Sequence, residues 1–369
     1  MTNGLIRAGI HVMAGVDNEP LCERTYRQNK NDDGSRPEYL CKNVFPRSKM
    51  HPDGEQQQIA ERISELIAEH RHNYGYRSLK LVFAICAPCQ PFTKITKIEM
   101  SAGRQFKRSN DSNLLLTTLR LIRQFRPAAI ICENVEGIAD GKSSVLVRFK
   151  RSLTRLGYAF DAKVINTAKF AVPQNRRRTI GIGIDRKYTD DVEVPEADPS
   201  MRQRVTVQKV IGHLPPLAAG EIHPTVANHR ARGLNDINLK RISCAPPGES
   251  NAYLRITPYG DLSLACHRRL EDRNGEPSFS DTYTRMKADD VAPTITTKFM
   301  SITNGRFGHF DVRQNRGLTP REGALLQTFP AKYVFYPEDN MEFTCTLIGN
   351  AVPPKLARFL GRYVQSYFE

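Results

Sequence analysis

Apolar and polar positions follow two textures along the 369 residues. Over the first 185 or so, short apolar runs alternate with stretches of helical periodicity. Ile10–Asp17 (IHVMAGVD) reads as a buried strand, and EPLCERTYRQN after it as a helix. EQQQIAERISELIAEH places Ile59, Ile63, Leu66 and Ile67 on one helical face. LKLVFAIC is a continuous apolar run of the kind that forms a strand covered on both faces. DSNLLLTTLRLIRQFRP aligns Leu115, Leu119 and Ile122, with Asp111 or Ser112 as cap and Pro127 as stop. AAIICENV reads as the next buried strand and SSVLVRFKRSLTRLG as a helix stopped by Gly157. YAFDAKVIN and RTIGIGID read as a strand pair around TAKFAVPQNRR. Alternation of this kind predicts an α/β domain with a doubly wound sheet, whose ligands sit at the carboxyl ends of the strands. APCQPF and ENVEG fall there, each directly after an apolar run.

From about 190 to 310 the helical periodicity fades. HLPPLAAGEIHP, CAPPGES and EDRNGEPSFSD are loop-like, which predicts a second, irregular lobe with short strands. Helical pattern returns in LTPREGALLQTFP, capped by Thr319 with Pro320 in the first turn, and in LIGNAVPPKLARFLGRYVQSYF. The last segment aligns Val352, Leu356, Phe359, Leu360 and Val364 on one face.

Charge adds a partner to this picture. The formal net charge of +15 favours a polyanion, of which nucleic acid is the usual one; a merely solvated basic surface is the alternative. The eight cysteines are scattered, without a second C-x-x-C or a histidine pair at zinc spacing. No apolar stretch is long enough to cross a membrane, and the N-terminus lacks a signal-peptide layout. The expected setting is a reducing cytoplasm.

Three stretches carry chemistry. Cys89, between Pro88 and Gln90, follows a strand and opens a basic loop holding Lys94, Lys97, Arg104, Lys107 and Arg108 against Glu99. A thiolate nucleophile under a lid, a buried structural cysteine and a redox partner of Cys86 all fit that position. Glu133 leaves the next strand at the same sheet edge. Desolvated there, a carboxyl would have a raised pKa and could deliver a proton; as a turn cap it would not. Arg176 and Arg178 sit on one side of a strand with Arg177 on the other, either as a clamp for a phosphate and a base carbonyl or as a charged strand edge.

Taken in order, Pro88-Cys89-Gln90, Glu133-Asn134-Val135, Gln174-x-Arg176-x-Arg178, RGLTPREGALLQTFP and GNAVPP resemble the DNA cytosine-5 methyltransferase family, and the resemblance spans almost the whole chain. It implies an α/β S-adenosylmethionine-dependent methyltransferase fold, Rossmann-like, with a mixed sheet and helices on both faces. Residues 1–190, completed by 340–369, would form the catalytic and cofactor domain, and 191–339 a smaller target-recognition domain and return segment. Cys89 would attack C6 of a cytosine flipped out of double-stranded DNA. Glu133 would bind N3 and the exocyclic amine, Arg178 the carbonyl, and Arg176 nearby backbone. S-adenosyl-L-methionine would donate the methyl, with no metal. Asp17, Asn18, Asn43, Pro88, Asn350 and Val352 are the candidate cofactor residues. Asn43 stands where the family often has an aspartate.

The resemblance implies a cytoplasmic, nucleoid-associated monomer, of restriction-modification or orphan type, with a cognate endonuclease as a functional partner and no membrane. One departure stands out. The family's F-x-G-x-G-G strand and loop precede the segment matching TNGLIRAG, and this chain starts at Met1. A late start codon or a truncated gene is the expectation, with one wall of the cofactor pocket lost. The rival readings are an RNA cytosine-5 methyltransferase, a non-catalytic DNA-binding remnant, and a C-x-x-C oxidoreductase, which predicts that Cys86 matters as much as Cys89.

Overall fold

The computed structural model describes residues 1–75, 78–87, 114–139, 144–265, 267–268 and 279–369. They divide into two compact units. One comprises Met1–Asn166, Arg177–Ala197 and Pro354–Glu369; the other Thr167–Arg176 and Asp198–Pro353.

The first unit is α/β. A short helix α1 (Thr2–Ile6) precedes β1 (Ala14–Asp17), α2 (Glu23–Tyr26), β2 (Glu38–Cys41), α3 (Gln56–Tyr74) and β3 (Val82–Ile85). Then come α4 (Leu119–Phe125), β4 (Ala129–Val135), α5 (Val145–Arg155), β5 (Tyr158–Asn166) and β6 (Arg177–Asp185). β1 and β2 pair in parallel; β3, β4, β6 and β5, in that order, form a mixed sheet. β3 runs parallel to β4, and β6 lies antiparallel between β4 and β5.

β4 is the central apolar run expected, buried from Ala129 through Asn134. Ile122, Phe149, Leu153 and Tyr158 are fully buried and seat α4 and α5 in one cluster with Ile130, Cys132 and Phe160. Each such side chain contributes roughly 1.5–3 kcal/mol of transfer free energy. Gly181 on β6 is required by that packing: a Cβ there would lie 2.8 Å from the Phe160 ring. α5 begins at Ser144, whose hydroxyl accepts from Val147 N (3.3 Å), and ends before Gly157 at φ +83°.

Two strands depart from the sequence expectation. The strand read over Ile10–Asp17 is confined to Ala14–Asp17 and is half-buried to exposed. β3, expected to be covered on both faces, is only partly so, with Ala84 exposed. Among the described residues each has one strand neighbour, and both line the large cavity described below. An apolar run reports β propensity, not how many partners the strand finds.

The second unit holds α6 (Val207–Ile211), α7 (Asp236–Ser243), α8 (Pro320–Leu326) and α9 (Met341–Asn350). The short strands expected in the irregular region are isolated bridges here, among the described residues. Side chains take over what a sheet ladder would do. Arg285, fully buried, donates to the carbonyls of Ile242, Ala245, His309, Asp311 and Gln314 at 2.8–3.2 Å. α8 opens on the expected Thr319 with a full capping box: Glu322 N donates to Thr319 Oγ1, and Thr319 N to Glu322 Oε2.

Candidate active site

The geometry starts where β3 and β4 end. Cys86 and Ala87 follow β3, and Asn134 Nδ2 donates to Ala87 O (3.2 Å), tying that end to β4. Pro88 and Cys89, next in the chain, lie outside the described residues, as do the basic loop after them and the Asp111 and Ser112 caps. Cys86 opens onto the cavity, yet the protein around it withholds water and pushes its thiol up to about 12, with Glu133 adding to the rise. Among the described residues no group of three His, Cys, Asp or Glu could hold a metal.

Glu133 lies on β4 two residues before the strand end, opposite Ile180, while Arg178 on β6 faces Val135. The pair is therefore diagonal on one face of the sheet. Glu133 is 8 % exposed. Arg178 Nε lies 3.1 Å from Glu133 Oε1, close enough for an ion pair. Its N–H is not aligned, so Oε1, itself buried, accepts no hydrogen bond among the described residues. Arg178 Nη1 instead donates to Arg177 O (2.7 Å). The result is a buried acceptor held beside a guanidinium and, among the described residues, left open. Arg177 points away, in a bidentate pair with exposed Glu136 (2.8 and 3.0 Å).

Arg176 does not share the strand. The chain passes from the second unit to the first between Arg176 and Arg177. Arg176 is buried and donates to Ile295 O (2.9 Å) and Gly349 O (3.0 Å). It thereby fixes the backbone immediately before Asn350. Gln174 completes this frame: its Oε1 accepts from Ile295 N (3.0 Å) and its Nε2 donates to Gln327 Oε1 (2.7 Å). Gln327 in turn donates to Ile348 O (2.8 Å). Asn350, last in α9, is exposed, and Val352 is buried at 2 % exposure.

The described residues of the first unit also line an open cavity of about 1350 Å³, larger than the roughly 300–1,000 Å³ of ordinary small-molecule sites. Asp17, Asn18 and Asn43 all line it. Asp17 ends β1; its carboxylate accepts from Glu19 N (3.0 Å), while crowding by the surrounding protein raises its pKa. Gly15 lets the backbone approach: a Cβ there would meet the Tyr26 ring at 2.5–2.7 Å.

Asn43 is already occupied. Its Nδ2 donates to Asp53 Oδ2 (2.9 Å) and its Oδ1 accepts from Phe45 N (3.1 Å). Asp53, also in the wall, is the carboxylate that Asn43 positions, and Phe45 and His51 stack beside it with ring centroids 3.9 Å apart. Sequence reasoning missed these three. The nearest signal was the aromatic and acidic spacing within NVFPRSKMHPDGE. A strand-end carboxylate, a second carboxylate, an aromatic stack and a close backbone make a wall suited to a nucleoside, with its ribose hydroxyls, amine and flat base.

Similarity to known proteins agrees with this arrangement. The profile of the C-5 cytosine-specific DNA methylase family matches residues 54–366. The chain is 32 % identical to the Type II methylase M.HgiDII of Herpetosiphon aurantiacus, over 100 % of this chain and 93 % of that protein. It is 29 % identical to the Type II methyltransferase M1.HphI of Haemophilus parahaemolyticus, over 98 % and 82 %. Among solved structures, a prophage-encoded DNA modification methyltransferase from E. coli superposes with a TM-score of 0.65 at 18 % identity, covering 100 % and 95 % of the two chains. A Spodoptera frugiperda DNMT2 does so at 0.59 and 14 %, covering 100 % and 96 %. These structures share the fold, an α/β methyltransferase fold with a mixed sheet. The chain therefore belongs to the C-5 cytosine-specific DNA methylase family and is a DNA cytosine-5 methyltransferase.

Proposed function

We propose that this enzyme methylates C5 of a cytosine flipped out of a specific duplex DNA site, with S-adenosylmethionine as donor. The observation that carries the reading is the buried Glu133 carboxyl, held beside Arg178 and, among the described residues, without a hydrogen bond on Oε1. A cytosine edge offers what this pair lacks. Its exocyclic amine donates to a carboxylate, and its O2 accepts from a guanidinium. Glu133 and Arg178 together therefore complement one Watson–Crick edge, which is free only when the base has left the duplex.

Cys89 supplies the nucleophile in this reading. Its thiolate forms a bond to C6, the ring loses conjugation, and C5 becomes electron-rich. Glu133, at N3 and the amine, would pass its carboxyl proton to N3 as negative charge develops on the ring, and would be left as the carboxylate. Loss of the C5 proton and departure of the thiolate from C6 restore the base. S-adenosylmethionine, when bound, supplies an electrophilic methyl group. Asp17 would hold its ribose hydroxyls, Asn18 and Asp53 its adenine edge, and Phe45 and His51 its flat face. Asn43 positions Asp53, so its contribution is indirect. Pro88 would stiffen the turn that aims Cys89, and Arg176, through Gly349 O, would fix the backbone that presents Asn350 to the methionine part of the donor. Val352, buried, would contribute packing beside it. The similarity to Type II methylases supports a restriction-modification setting in the cytoplasm, with a cognate endonuclease as functional partner.

Tritium transfer from labelled S-adenosylmethionine tests the reading. Label should enter plasmid duplex but not RNA, and Cys89→Ser should abolish it while Cys86→Ser does not. Label entering RNA alone would reverse the substrate assignment, and equal loss in both cysteine variants would favour the dithiol reading.

A further inference from the structure

We propose that the outer face of α4 and α5 is a second DNA-contacting surface, which holds the phosphate backbone of duplex outside the base pairs that carry the target. The inference rests on DNA being the substrate.

α4 and α5 bury one side each in a common cluster through Leu119, Ile122, Phe149 and Leu153. Their C-terminal ends are joined: Arg126 Nη1 donates to Leu156 O, and Tyr158 Oη to Pro127 O (2.8 Å). The opposite sides carry Arg120 and Arg123 on α4, and Arg148, Lys150, Arg151 and Arg155 on α5, all exposed. Neither helix contains an Asp or Glu, and none occurs from 114 to 132 or from 144 to 160. Among the described residues none of these six side chains forms an ion pair or hydrogen bond.

Such a face is unfavourable for the folded protein alone. Arg148, Arg151 and Arg155 follow one another at i, i+3 and i+7, so each neighbour is a like charge at helical contact distance, which costs a few tenths of a kcal/mol per pair. α3 shows how the same unit treats a base it uses structurally: Arg62 is met by Glu38, Glu65 and Glu69 at 2.7–2.8 Å. Among the described residues the α4–α5 face has no such compensation, and its spacing presents a row of charge along a helix. A row of guanidinium groups without acids complements a row of phosphates, and releases counterions on binding. Contacts of this kind position the duplex and carry no sequence information. Their effect is to retain the enzyme on long DNA while it searches for its site.

The test is a triple variant, Arg148→Gln, Arg151→Gln and Arg155→Gln, beside an equal-charge control, Lys30→Gln, Arg71→Gln and Lys187→Gln, on other exposed positions. Binding to a random-sequence duplex of about 200 base pairs is measured across salt concentrations. Removing three phosphate contacts should flatten the slope of log K against log salt by about 3, and the control should keep the parent slope. On plasmid, the triple variant should show a KM raised about tenfold with kcat within about twofold of the parent. A slope equal to the parent's, or a control that flattens as much as the triple variant, would overturn the surface. If no protein methylates any duplex, the assigned reaction fails, and the salt slopes still decide the surface.

Discussion

Two arginine–carboxylate pairs in this enzyme lie at opposite ends of one scale. In the second unit Arg316 and Glu322 are fully buried and saturated. Arg316 reaches Glu322 with two bonds of 2.9 and 2.7 Å, and Glu322 also accepts from Thr319 N at 2.8 Å. In the first unit Glu133 is nearly as buried, yet among the described residues its Oε1 accepts no hydrogen bond and Arg178 approaches it off-axis. The first arrangement spends every acceptor on the fold. The second keeps one in reserve, and a buried charge with unused capacity is costly unless a ligand completes it. Saturation, more than burial, separates the structural pair from the one proposed to meet the base.

Substituting each carboxylate should split the two roles. Glu133→Gln should lower turnover on duplex DNA by roughly 10²–10⁴-fold and leave the melting temperature nearly unchanged. A large fall in melting temperature would make Glu133 structural. Glu322→Gln should do the reverse, costing about 3–5 kcal/mol of stability by leaving Arg316 buried without its counter-charge. Chemical denaturation reads that loss; a shift under about 1 kcal/mol would break the comparison.

The saturated pair also predicts how acid acts. Burial alone would raise the Glu322 pKa, but Arg316 overrides it and holds the carboxyl well below its ordinary value of 4.5. A depressed folded pKa means stability that is present above about 4.5 and lost as pH falls below it. His309 adds to this. Its Nδ1 accepts from Asp311 N (3.1 Å), which leaves Nε2 as the protonated nitrogen 3.4 Å from Glu322. Burial holds its pKa at about 4, below the ordinary 6.5, so it too favours the folded state above 6.5 and loses that contribution on acidification. Midpoint denaturant concentration should fall from pH 6.5 downward and more steeply below 4.5. Glu322→Gln should remove the steeper part, and a profile unchanged by that substitution would contradict the assignment. The smallest effect is expected at the cavity: Asp17→Ala should weaken donor binding about 10- to 100-fold, the range for one hydrogen bond to a charged group. Calorimetry that finds equal affinity would remove Asp17 from the site.

Much of the frame was legible because it rests on local rules. β4 read as a buried run, α3 and α5 as periodic faces, α8 as a capped helix with proline in its first turn, and β5 with β6 as a pair. The ordered motifs put Glu133 at the end of one strand and Arg178 at the start of another, and the register, which the sequence did not show, makes them a diagonal pair. What the sequence hid depends on distant partners. Gln174 meets Gln327 across 153 positions, and no periodicity announces that contact. Spacing makes Arg176 and Arg178 a matched pair and only the resemblance separated their roles; which carbonyls Arg176 binds, and that Arg178 faces a carboxylate, depended on distant partners. Asn43, in place of an acid, reads as a lost contact until its amide is seen holding Asp53. Asp17 and Asn18 were assigned from the end of a strand, but the breadth of the cavity beside them follows from the strand neighbours that β1 and β3 have, which an apolar run does not specify.

The measurement that bears most directly on the open Glu133–Arg178 pair is covalent trapping on duplex DNA carrying 5-fluorocytosine, where fluorine at C5 prevents the thiol from leaving. The parent enzyme with S-adenosylmethionine should form a denaturant-stable adduct. Cys89→Ser should form none, and Glu133→Gln should form it at least about 100-fold more slowly. An adduct that survives Cys89→Ser, or that forms at the parent rate in Glu133→Gln, would contradict the account.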